Sequence, residues 1–170
     1  MKKSILLLVA VVLSCNVFAQ SFDSSKIRAG AGLVYATEIG NIGINFNGVY
    51  AFNDTWEGAF GYSHIFEKDN TTWNIFDFDA HYVFHKQDDK LNFYGIGGLA
   101  ITAWKTDVPA INFMGYETPS VSASDSELGF NLGVGANYSL TDKLNLAPEA
   151  RFTIMDDSYF RIGASLQYKF

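Results

Sequence analysis

From Tyr159 to Phe170 the chain alternates without a break. Phe160, Ile162, Ala164, Leu166, Tyr168 and Phe170 fall on one side of an extended strand, and Arg161, Gly163, Ser165, Gln167 and Lys169 fall on the other. Successive strand side chains point to opposite faces, so this is one greasy face and one small or polar face. The length suits a strand that crosses a bilayer, which takes about 9–11 tilted residues.

The same period recurs along most of the chain. Residues 41–52 set Ile42, Ile44, Phe46, Tyr50 and Phe52 against Asn41, Gly43, Asn45, Asn47 and Ala51. Residues 55–67 set Trp56, Phe60, Tyr62 and Phe66 against Glu57, Ala59, Gly61 and Ser63. Residues 74–84 set Phe76, Phe78, Ala80, Tyr82 and Phe84 against Asp77, Asp79 and His81. In 127–139 the even-numbered residues from Leu128 to Tyr138 are apolar; in 143–154 Leu144, Leu146, Ala150, Phe152 and Ile154 oppose Asn145, Glu149, Arg151 and Thr153. Residues 26–36 group Ile27, Ala29, Ala31, Leu33 and Tyr35. In 91–104 both faces are apolar, and Tyr94, Ile96, Ala100 and Trp104 are expected to form the outer set. With 159–170 that makes eight strands, and the expected fold is all-β: an eight-stranded antiparallel up-and-down transmembrane barrel.

The N-terminus differs. Lys2 and Lys3, an apolar run from Ile5 to Leu13, and Val17-Phe18-Ala19 before Gln20 read as a secretory signal over residues 1–19, leaving one barrel domain over 20–170. A rival is lipidation at Cys15, but Leu13 fits a lipoprotein site poorly. Cleavage after Ala19 removes the only cysteine, and with it any thiol chemistry. The remaining ten basic and eighteen acidic residues give a net charge of −8, which argues against nucleic acid as a partner.

Which face is greasy on the outside follows from volume. An eight-stranded interior is only just wide enough for side chains to fill it, and the aromatic face would overpack it. Gly, Ser, Asn and Ala with a few charges suit a narrow lumen instead. Turns at Asn53-Asp54, Lys86–Asp89 and Leu140–Asp142 are short on the side of the termini. The opposite side carries 37–40, 68–73, 155–158 and one long loop, 105–126, with Pro109 and Pro119. Transmembrane barrels have short periplasmic turns and longer external loops. Aromatic belts are expected at both strand ends, with Tyr50, Phe52, Trp56, Phe84, Tyr138 and Phe170 inside and Tyr35, Phe66, Trp73 and Trp104 outside.

Taken together, the leader, the eight alternating segments, the loop asymmetry and the final Phe170 resemble small outer-membrane barrels of the OmpA/OmpX type, within the wider porin family. The resemblance covers essentially the whole mature sequence. It implies a Gram-negative outer-membrane location and outer-membrane lipid as surroundings. It also implies recognition by the barrel assembly machinery through Phe170, Tyr168 and Leu166. Pro148 departs from the pattern, because a closed barrel has no free edge on which to lose a ladder donor; a bulge or a register change is expected there.

Little in the chain points to catalysis. His64 and Ser63 are adjacent on a strand and therefore face opposite ways, which excludes a nucleophile–base pair. No His or carboxylate spacing suggests a metal site, and no cofactor is expected. The loop acids Asp69, Asp107, Asp125, Asp156 and Asp157 lack a calcium-ligand spacing and read as a solvated surface. Small barrels that modify lipid A gather Ser, His and acid groups at the lipid-facing rim, whereas here His64 stands without an outward acid.

The inward charges Arg28, Glu57, Asp77, Asp79, His81, Glu149, Arg151 and Arg161 are the candidate functional residues. Buried charges have to be paired, and counting along strands 4, 7 and 8 puts Asp77, Asp79, Arg151 and Arg161 at one level. A lumen network blocking the barrel is expected from them. The reading is a monomeric, non-enzymatic structural or surface-interaction barrel, with loop 105–126 as its contact surface. A narrow pore or small-solute channel is the alternative, and a lipid A-modifying enzyme a more distant one.

Overall fold

The computed structural model describes residues 23–88, 90–110, 112, 113, 116, 117 and 119–170. The expected signal segment, residues 1–19, lies outside the described residues. Eight long strands run β1 (Ile27–Ala36), β2 (Asn41–Ala51), β3 (Trp56–Lys68), β4 (Thr71–Gln87), β5 (Leu91–Val108), β6 (Val121–Ser139), β7 (Leu144–Ile154) and β8 (Tyr159–Lys169). Each pairs antiparallel with its sequence neighbour, and β1 pairs with β8 from Arg28↔Lys169 to Ala36↔Arg161, closing the barrel. Closure leaves the barrel wall without a sheet edge, which a wall surrounded by hydrocarbon requires.

The turns carry the residues their geometry demands. Asp69 and Asn70 join β3 to β4 with φ of 51° and 63°. Two left-handed residues in succession match the twist of a tight hairpin, and short polar side chains tolerate that conformation best among non-glycine residues. Gly40 takes φ 64° before β2.

Alternation sorts the faces as volume requires. Leu33, Phe46, Phe130, Leu132 and Leu166 turn outward and are exposed, whereas Asp77, Asn131, Thr153, Arg161 and Gln167 turn inward and are buried. The outer wall is not uniformly bulky. Gly48, Gly58 and Ala80 leave a shallow hollow walled by Tyr50, Phe52, Phe60 and Phe78.

Strand β5 is the exception to the expected parity. Tyr94, Ile96 and Ala100 are buried in the lumen, and Trp104 packs on the interior cluster, so the expected outer set is the inner one. Register decides this. His81 pairs with Ile96 and Asp77 with Ala100, and directly paired residues share a face. The outward residues are instead Gly95, Gly97, Leu99 and Ile101. Room for Tyr94 comes from Gly135 across the ladder, where a Cβ atom would lie 2.5 Å from the Tyr94 ring. Trp73 is likewise lumenal, so Trp73 and Trp104 do not belong to the outer aromatic belt.

Two further expectations change. The 105–126 stretch is not one loop: β5 continues to Val108 and β6 begins at Val121, paired as Val108↔Val121, with only 109–120 between them. A second two-residue ladder, Asn112↔Glu117 and Phe113↔Tyr116, lies within that connection. Pro148 produces neither a bulge nor a shift. β6 and β7 keep one register from Phe130↔Ile154 to Ser139↔Asn145, and the ladder simply lacks the pairs opposite Pro148 and Ala147. The missing donor is absorbed as a local gap.

Candidate functional site

The lumen is filled in three layers. Nearest the long hairpin, Ala36, Ile65, Trp73, Ile75, Ala100 and Tyr159 form a buried apolar cluster, with Val34, Ile39, Trp104 and Met155 packed against it. Trp73 meets Tyr159 edge-on at 5.0 Å, and the Tyr159 hydroxyl is 2.6 Å from Thr102 Oγ1. The sequence reading missed this layer, because Trp73 and Trp104 were placed outside. The signal for it is the inward parity of Ile65, Ile75 and Tyr159, three bulky residues on an otherwise small and polar face.

The middle layer is ionic. Arg161 donates from both terminal nitrogens to the two oxygens of Asp77, each at 2.8 Å. The planar guanidinium fork matches a carboxylate, which makes this the strong bidentate form of ion pair. Arg151 donates to Asp79 and, through Nε and Nη2, to Glu149 at 3.1 and 2.6 Å; its Nη1 is also 3.4 Å from Asp77. Asn131 donates to Asp77 at 2.8 Å and to Asp79 at 2.9 Å. It accepts from Thr153 and Arg161, and so joins the two ion pairs into one network. Asn131 and Thr153 were not singled out from the sequence, although both carry inward parity on β6 and β7.

The third layer lies toward the chain termini. Arg28 forks onto Glu57 at 3.1 and 2.8 Å and donates from Nε to Gln167 at 3.2 Å. His81 stacks on Tyr94 with ring centres 4.6 Å apart, and its Nδ1 lies 3.6 Å from Glu57. Tyr94 donates to Glu149 at 2.7 Å, which ties this layer to the Arg151 cluster. Gln167, Asn47, Asn45, Ser63 and Ser165 continue as a chain of neutral hydrogen bonds.

Apart from His81, which stacks on Tyr94, the inward charges Arg28, Glu57, Asp77, Asp79, Glu149, Arg151 and Arg161 thus each make a lumenal ion pair. They fall into two groups, Arg28–Glu57 and the other five. Between the walls a cavity of about 30 Å³ remains, lined among others by Asn45, Ser63, Asp77, Glu149, Arg151 and Arg161. That volume is enough for a water or two. Open vestibules lie at the terminal end, lined by Arg28, Lys169, Asn92, Asn137 and Asn145.

On the outer wall, His64 Nδ1 and Tyr62 Oη both lie 2.9 Å from Asn74 Oδ1. The histidine's hydrogen-bond partner is therefore a side-chain amide. Among the described residues no group of three or more His, Cys, Asp or Glu side chains is placed to hold a metal ion.

The family model for the outer membrane protein beta-barrel domain matches residues 5–170. The chain belongs to this family. Its location is accordingly the outer membrane. No curated protein matches the sequence significantly. Among solved structures, this outer-membrane barrel is similar to the N-terminal β-barrel domain of Pseudomonas aeruginosa OprF. The TM-score is 0.65 at 16% identity, covering 85% of this chain and 98% of that one. It is also similar to Ail, the attachment invasion locus protein of Yersinia pestis, with TM-score 0.57 and 18% identity over 85% and 96% of the two chains. The outer membrane enzyme PagL matches with TM-score 0.52 at 11% identity, over 85% and 99%. At such identities the likeness is one of fold. One outer-membrane barrel architecture carries both an enzyme and a protein named for attachment, and the side chains of this chain have to decide its role.

Proposed function

We propose that the protein is a non-enzymatic, monomeric outer-membrane barrel that spans the membrane as a closed plug and displays the β5–β6 hairpin to the exterior. The supporting observation is the filled lumen. An apolar cluster lies across one end, and beneath it charges from β4, β7 and β8 meet over the width of the barrel. The termini and the short turns face the periplasm, in keeping with the short-turn, long-loop asymmetry of such barrels. Residues 1–19 serve as the export signal, and Phe170, Tyr168 and Leu166 as the segment read by the assembly machinery. The contact surface is the hairpin that rises from 100–108 and 121–129, with 109–120 as its tip. Planar-bilayer recording of the purified, folded protein tests the plug. No conductance steps are expected from the native chain. Reproducible steps would overturn the reading and favour the small-solute channel.

A further inference from the structure

The mouth of the lumen at the terminal end is cationic. Two open vestibules meet there and share Arg28, Asn92 and Lys169 as walls; the wider holds about 580 Å³. Arg28 is already held, its guanidinium donating to Glu57 and Gln167. Lys86 lies 3.9 Å from Asp54. Lys26, Lys90 and Lys169 are exposed at this mouth, and none of the three makes an ion pair among the described residues. The acid of the lining that remains is Asp142, in the β6–β7 turn. In a chain of formal net charge −6 this cationic surplus is local, and it favours an anionic ligand.

The floor of the wider vestibule points the same way. Asn145 is 6% exposed, yet its side chain makes no hydrogen bond among the described residues. Register aims it into the vestibule, because it pairs with the inward Gln167 on β8 and with Ser139 on β6. Asn92 and Asn137 face each other across the β5–β6 ladder beside it. Asn137 is 5% exposed and donates to Gln167 only at 3.4 Å; Asn92 makes no side-chain hydrogen bond among the described residues. Buried amides are nearly always paired, so three neighbouring amides with so little protein to bond form a cradle for a polar ligand.

The donor set says which kind. Lysine only donates, whereas a side-chain amide both donates and accepts. A bare anion such as phosphate offers acceptors alone and would leave the amide oxygens unmet. A peptide brings carboxylates for the lysines and both N–H and C=O groups for the amides, and several hundred Å³ is the size of a small-ligand site.

We propose that this vestibule binds an acidic peptide from the periplasm, with its carboxylates on Lys90 and Lys169 and its backbone on Asn92, Asn137 and Asn145. The proposal rests on the periplasmic placement of the termini given above and adds a ligand at that end of the barrel.

The test uses the full mature chain in phosphatidylcholine nanodiscs and the hexapeptide (Glu-Ala)₃, with empty nanodiscs as control. Saturable binding by calorimetry is expected, with shifts of the side-chain amide resonances of Asn92, Asn137 and Asn145; no saturable binding would overturn the proposal. Lys90→Gln and Lys169→Gln alter exposed side chains, so the barrel still folds, and each is expected to weaken binding about tenfold. Asn145→Leu is expected to weaken it to a similar degree while the urea midpoint stays level or rises, because the native amide has no partner to lose. A lower midpoint with unchanged binding would make Asn145 a purely structural residue and overturn the site. (Gln-Ala)₃ is expected not to bind. Equal binding by (Gln-Ala)₃, or by inorganic phosphate, would show that the vestibule does not read a peptide carboxylate and also overturn it. Orientation is read separately, from a Lys90→Cys variant and a membrane-impermeant maleimide. Labelling only after the outer membrane is permeabilised is expected; labelling of intact cells would overturn the periplasmic source of the peptide, whatever binds in nanodiscs.

Discussion

Removing Arg161 tests the middle of the lumen. Arg161 is 2% exposed and Asp77 1%, so the pair is screened by protein rather than water. Arg161→Ala deletes both 2.8 Å bonds to Asp77 and the longer ones to Asn131 and Thr153. Leaving a buried charge without its partner costs about 3–5 kcal/mol. Asp77 keeps Asn131 at 2.8 Å and Arg151 at 3.4 Å, which places this variant near the lower limit, at about 3 kcal/mol. For a chain of this size that is a fall of roughly 6–12 °C in unfolding temperature. Arg151→Ala strips a cation from Asp79 and Glu149 together and is expected to cost more, about 4–5 kcal/mol. Arg161→Met with Asp77→Leu removes the pair as a unit and leaves Arg151 with its two other carboxylates. Most of the loss should return, because an apolar replacement of a buried pair is often neutral or stabilising. Urea unfolding in detergent, followed by tryptophan fluorescence, reads all four proteins, since Trp73 lies on Tyr159 next to the network. Single variants within about 1 kcal/mol of the native protein would show that water already screens these charges. A double variant no more stable than Arg161→Ala would show that removing Asp77 as well recovers nothing, and that Arg161 and Asp77 are not coupled.

Four shorter tests bear on other levels of the fold. Spin labels at Leu132 and Leu166 should be shielded from polar relaxants and reached by oxygen from the lipid; ready access from water would invert the faces. Tyr94, placed by its register in the lumen, gives the opposite expectation, and quenching of a fluorophore at Tyr94→Cys by brominated lipid would contradict it. Deleting Phe170 or replacing it with Asp should leave chains in the periplasm; normal membrane levels would show that this residue is not the assembly signal. In the hairpin, hydrogen bonds from Lys105 and then from the Ser122 hydroxyl hold the Asp107 carboxyl below its usual range. Its contribution is present above the unfolded-state value near 4 and is lost as pH falls through the lowered one. Protection factors of the amides around Val108 and Val121 should then hold from pH 7 to pH 5 and fall as pH drops below about 4; protection unchanged at about pH 3 would show that this clamp does not order the hairpin.

The period of two carried most of what could be read in advance, because it needs no knowledge of partners. In β8 each apolar residue from Phe160 to Phe170 is followed by a small or polar one, so a shift by one residue would turn every greasy side chain into the lumen. Strand β5 has no such contrast. Tyr94 and Ile96 alternate with Gly95 and Gly97, and Ala100 with Leu99 and Ile101, so both faces are compatible with lipid by composition. What fixes its parity is external to it: Asp77 and Asp79 on β4 have to point inward, and the ladder then sets Ala100 and Gly98 beside them. Gly98 shows the same constraint in space, since a Cβ there would lie 2.3 Å from an Asp79 carboxylate oxygen.

The apolar layer was hidden for a related reason. A lumen inferred only from its polar residues has no place for Trp73, so a tryptophan near a strand end reads as an interface anchor. Yet Trp73 sits two residues from Ile75 and four from Asp77, and parity sends all three the same way. Burying a tryptophan and a tyrosine above the ion pairs does more than fill space. It keeps bulk water from the hairpin-side face of the Arg161–Asp77 pair, and the Arg161 guanidinium lies 5.6 Å from the centre of the Tyr159 ring. Dry surroundings strengthen the attraction between paired charges and raise the cost of breaking them. The two layers are therefore interdependent. Truncating Trp73 should weaken the ionic network it does not touch, and a barrel that conducts would need both layers to give way.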